Sequence, residues 1–71
     1  MMWTMQCRGY TGSINYSAAD WVYYGRVLGI EGLISYEGKT ITKLRQDFIG
    51  AIDDYLDMCA EQKIRPEVPS K

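Results

Sequence analysis

Three neighbouring carboxylates, Asp53, Asp54 and Asp57, and two cysteines, Cys7 and Cys59, are the residues whose types could support chemistry. Carboxylates that converge can hold magnesium. On a helix, however, Asp53 and Asp57 share a face while Asp54 points roughly 100° around the axis, so three ligands are not preformed. The group reads instead as part of a solvated helix face, and no metal ligand is assigned. A reactive thiolate needs an electropositive setting, which neither cysteine has, and Cys59 falls on an apolar stripe. Both are read as structural. The chain contains no histidine. That removes the commonest general base near neutral pH, and with it serine triads, Cys-His dyads, histidine-dependent ribonucleases and most zinc sites. Gly9, Gly12, Gly25, Gly29, Gly32 and Gly38 follow no phosphate-cradling spacing. No catalytic residue and no cofactor are expected, and the chain is read as a non-enzyme.

The elements that must position these side chains follow from periodicity. Trp3 to Tyr16 reads as one extended strand, with Gly9 and Gly12 as bulges. Ser17 to Asp20 is a polar break of hairpin length, and Trp21 to Leu28 is dense in aromatic and β-branched residues, the clearest strand of the chain. Gly29-Ile30-Glu31-Gly32 reads as a reversal, followed by a shorter third strand from Leu33 to Glu37. The period then changes to that of a helix, since Ile41, Leu44, Phe48, Ile52, Tyr55 and Cys59 recur every three or four residues. Thr40 is the expected N-cap, and Lys63 and Arg65 lie near the end where cations suit the dipole. Beyond them Pro66 and Pro69 prevent helix continuation, leaving residues 63–71 as an extended tail or a short C-terminal strand. The fold class is α+β, a three-stranded antiparallel meander with one long helix packed on one face, all within a single domain over residues 1–71.

The second strand carries the functional signal. One parity holds Trp21, Tyr23 and Val27, and the other holds Val22, Tyr24 and Leu28, so both faces are apolar although one helix covers only one of them. A second apolar row predicts a subunit or partner against it, unless the N-terminal segment folds over it within the monomer. Val22, Tyr24, Arg26 and Leu28 are therefore the candidate interface residues, toward another copy or a different protein. Lys39, Lys43 and Arg45 crowd the helix start against its dipole, which would suit an anion, although exposed cations on a small protein generally serve solubility.

Charge and length narrow the partners. Among 71 residues, eight Lys and Arg stand against nine Asp and Glu, a formal charge of -1. No global positive field exists to hold a phosphate backbone, so nucleic acid is not the expected partner. No signal-peptide pattern or membrane-length apolar run is present, and a reducing cytoplasm is the expected compartment. A core this small is marginal alone, so self-association is expected to help it.

Four segments together resemble the HicB antitoxins: Arg8-Gly9-Tyr10-Thr11-Gly12-Ser13, Tyr24-Gly25-Arg26-Val27-Leu28-Gly29-Ile30, Tyr36-Glu37-Gly38 and Asp53-Asp54-Tyr55-Leu56. The resemblance runs from Arg8 to Pro69. It implies a partial ribonuclease H-like fold that binds and blocks a small mRNA-cleaving toxin of the HicA type and that self-associates into a dimer or higher homo-oligomer. Many family members continue into a DNA-binding domain, whereas this chain stops at Lys71, so direct DNA binding is not expected of it. The competing class is a residual metal-dependent nuclease or RNA-binding module. It needs inward-converging carboxylates on strands, and the stretch from Trp3 to Tyr16 contains no Asp or Glu.

Overall fold

The computed structural model describes residues 3–68. Four strands, β1 (Trp3–Cys7), β2 (Tyr10–Ser17), β3 (Val22–Leu28) and β4 (Ser35–Gly38), precede one helix, α1 (Ile41–Glu61). They form a single antiparallel sheet in the order β1-β2-β3-β4, a meander with the helix on one face. The α+β class and the strand-then-helix order agree with the sequence reading.

The stretch read as one strand is a hairpin. Arg8 and Gly9 both take positive φ, +52° and +83°, the signature of a two-residue type I′ turn whose twist matches that of the flanking strands. Gly9 is therefore a turn residue and not a bulge. Trp21 also leaves the strand assigned to it: its φ of +54° closes the β2–β3 connection, and its side chain is 75% exposed. Ser17 and Asp20 hold that connection, the Asp20 N–H donating to Ser17 Oγ at 3.4 Å.

Alternation along the strands sorts the sheet into two faces. The helix side presents Tyr10, Val27 and Tyr36, which join Leu44, Phe48 and Ile52 in one buried cluster, with Met5, Cys7, Ile14 and Tyr23 packed around it. Leu44, Phe48 and Ile52 are completely buried, and Cys59 is nearly so. Ile41, expected on the same stripe, lies in the first turn and is 41% exposed.

Both helix ends are capped as the backbone requires. Thr40 Oγ1 accepts from the Lys43 N–H at 3.1 Å. At the other end Lys63 adopts φ +56°, its N–H donates to the Ala60 carbonyl at 3.3 Å, and the Ile64 N–H donates to the Cys59 carbonyl at 2.8 Å. That pair of bonds is a Schellman motif, formed with a lysine where glycine is usual. Ile64 to Val68 forms no strand and runs on as a strap; the part of the expected tail at 69–71 lies outside the described residues. Tyr10 donates its hydroxyl to the Glu67 carbonyl, and the Glu67 N–H donates to Tyr55 Oη at 2.8 Å. The Glu67 carboxylate meanwhile accepts from the amides of Glu31 at 2.9 Å and Gly32 at 3.0 Å, clamping the β3–β4 loop.

Candidate functional site

The site is built on β3, and its geometry starts from an interruption in the sheet. β2 and β3 pair at Thr11 and Gly12 and again from Asn15 to Ser17, but Ser13 and Ile14 have no partner in the register. Hydroxyl groups fill the gap. The Arg26 N–H donates to Ser13 Oγ at 3.0 Å, and the Tyr36 hydroxyl donates to the Ser13 carbonyl at 2.8 Å, with the Arg26 carbonyl 3.2 Å away. Backbone groups that lack a ladder partner must be satisfied in some other way, and here two side chains do it.

Tyr36 reaches the gap because two glycines make room. A Cβ at Gly12 would overlap the Tyr36 hydroxyl, and one at Gly25 would overlap the Ser13 carbonyl. Burial pushes the Tyr36 phenol up to about 12, opposed by its hydrogen bond to Ser13, so it remains a neutral donor at physiological pH. Tyr10 is shifted upward too, first by burial and then by the neighbouring Tyr55, Cys59 and Glu67.

Gly25 and Val27 turn toward the helix and are buried, which directs Val22, Tyr24, Arg26 and Leu28 to the opposite face. All four sequence-predicted interface residues thus lie in one row. Val22 and Leu28 are half-buried, Arg26 is exposed, and Tyr24 is 46% exposed. Among the described residues the N-terminal segment does not cover them, because Trp3–Cys7 is β1, at the sheet border beyond β2. Their neighbours on this face are polar: Thr11 stands opposite Leu28, Asn15 and Glu37 flank Tyr24, Ser17 stands opposite Val22, and Ser35 stands opposite Arg26. The apolar row is therefore a stripe one strand wide.

A shallow concavity of about 350 Å³ runs along this stripe, lined by Ser13, Asn15, Tyr24, Gly25, Arg26, Leu33 and Ser35. Leu33 is the residue that sequence reasoning missed. The sequence places it at the start of the third strand, yet it sits in the loop before β4 with 78% of its surface exposed, at the edge of the Arg26 concavity. No local signal marks it, because a strand can begin directly after a reversal and here the connection runs on to Ile34.

The carboxylates are scattered. Asp53 lies 3.5 Å from Arg8 in an exposed ion pair, and Asp47 accepts the Glu37 N–H at 2.9 Å, while Asp54 and Asp57 are exposed. Among the described residues no three His, Cys, Asp or Glu side chains are grouped to hold a metal ion. Lys39, Lys43 and Arg45 are exposed around the helix start. Cys7 and Cys59 are both free thiols, Cys59 buried against the sheet side of the helix. No helix among the described residues is long and apolar enough to cross a membrane. No protein-family model, curated protein or solved structure matches the chain.

Proposed function

We propose that this chain is a non-catalytic binding protein of the HicB antitoxin kind, which neutralises a small HicA-type mRNA-cleaving toxin by covering its RNA-binding surface. One observation carries the binding role: Val22, Tyr24, Arg26 and Leu28 line up on a sheet face that no other element among the described residues covers. Tyrosine and arginine are frequent interface anchors, since they supply large contact area with directional hydrogen bonds. Leu33 beside them widens the apolar contact. The partner's identity comes from the sequence resemblance alone. An mRNA-cleaving partner acts in the cytoplasm, so that is the compartment the proposal assigns.

Co-expression with a HicA-type toxin tests it. The wild-type chain is expected to restore growth and to co-elute with the toxin on gel filtration. The Tyr24→Ala, Arg26→Glu double variant should lose both while keeping its circular dichroism. A toxin complex that survives this substitution would move the contact elsewhere on the molecule. Absence of any complex, together with magnesium-dependent cleavage of an RNA hybrid that is lost in Asp53→Asn, would replace the proposal with a nuclease.

A further inference from the structure

We propose that β1 pairs edge to edge with the β1 of a second copy of this chain, about a two-fold axis through Met5, so that one sheet runs across two molecules. The inference starts from the inequality of the two sheet borders. β4 is short, and the outward amide of its Glu37 is taken by the Asp47 carboxylate at 2.9 Å. The helix packs closely on this strand and supplies that carboxylate.

Among the described residues β1 has no such protection. In a two-residue type I′ hairpin the residues flanking the turn, here Cys7 and Tyr10, exchange main-chain hydrogen bonds. Alternation then aims the backbone of Met5 and Trp3 at β2 and the N–H and C=O groups of Thr4 and Gln6 outward. Among the described residues no hydrogen bond from another element reaches those outward groups. The strand, Trp3-Thr4-Met5-Gln6-Cys7, contains no charge and no proline, the usual devices that keep a border from pairing.

A second copy fits this border by symmetry. With the dyad at Met5, Thr4 of each chain faces the partner's Gln6, and their outward groups make four main-chain hydrogen bonds. Met5 meets the partner's Met5 at a non-hydrogen-bonded position, where side chains approach most closely. No like charges meet, because the strand is neutral. Trp3, Met5 and Cys7 share the helix side, so the two rows join into one apolar strip that covers Trp3, now 61% exposed. Thr4 and Gln6 keep the opposite side polar. The stripe on β3 stays free for a different partner.

Cysteine cross-linking of the isolated full chain in a Cys7→Ser background tests the register; Cys59, only 2% exposed, is shielded from oxidant. Met5→Cys is expected to give a disulfide-linked dimer on mild oxidation, and Thr4→Cys, whose counterpart is Gln6, is expected to give little. Thr4→Pro deletes an outward N–H that is unused within the monomer, so light scattering should fall from twice the chain mass to one with unchanged circular dichroism. A monomeric wild type, equal cross-linking at both positions, or a dimer indifferent to Thr4→Pro would each overturn the pairing. None of these measurements involves a toxin, so their failure leaves the antitoxin reading where it stood.

Discussion

The two faces of the sheet are made by the same strands under different rules. On the helix side, apolar residues from β1 to β4 meet Leu44, Phe48 and Ile52, and even the polar Tyr36 hydroxyl is absorbed into a gap of the ladder. On the other side, apolar residues occur along β3, while β2 and β4 present Thr11, Asn15, Ser17, Ser35 and Glu37 beside them. A face that needed a second layer would be apolar across several strands. A single stripe with polar banks can remain in water and still bind, because Val22 and Leu28 are half-covered by their neighbours while Tyr24 and Arg26 remain accessible.

If that contrast is right, substitutions on the two faces must separate stability from binding. Phe48→Ala, at a fully buried position, should cost about 3–5 kcal/mol and leave the domain largely unfolded in urea titrations. Gly25→Ala, whose new Cβ would overlap the Ser13 carbonyl, should cost about 1–3 kcal/mol and shift the thermal midpoint downward. Tyr36→Phe keeps the ring but leaves the Ser13 carbonyl without its donor, an expected loss of about 1–2 kcal/mol.

Tyr36 also gives that face an alkaline limit. Its folded value of about 12 exceeds the ordinary 10.0, so its contribution to stability is complete below pH 10 and declines as the pH rises toward 12. Denaturant midpoints followed across that range should fall less steeply in Tyr36→Phe than in the wild type. Tyr24→Ala, on the stripe, should change stability by no more than about 0.5 kcal/mol while removing partner binding. A large loss of stability at Tyr24 would erase the distinction between the faces.

Much of this arrangement was legible in the sequence, and the misses have local causes. The helix announced itself through Thr40 and the spacing from Leu44 to Cys59, because cap chemistry and periodicity act within a few residues. Its end was harder to read, since Lys63 takes the left-handed position where a glycine would have signalled the stop. The Arg8–Gly9 turn was hidden in the same way: without Asn-Gly, Gly9 looked like a bulge, and two strands merged into one. Val22, Tyr24, Arg26 and Leu28 were placed on one face by parity alone. Leu33 was not, because the reversal before it is longer than its glycines suggested. The Glu67 clamp and the Tyr36 plug were out of reach, as each joins residues far apart in the chain with no local pattern to mark them.

The strap has a consequence for how the molecule is made. Glu67 ties down the loop that leads to Leu33, and its carbonyl receives the Tyr10 hydroxyl from 57 positions earlier. The loop that carries Leu33 can therefore be fastened only after the helix and the segment beyond it have been synthesised, late in the making of the chain.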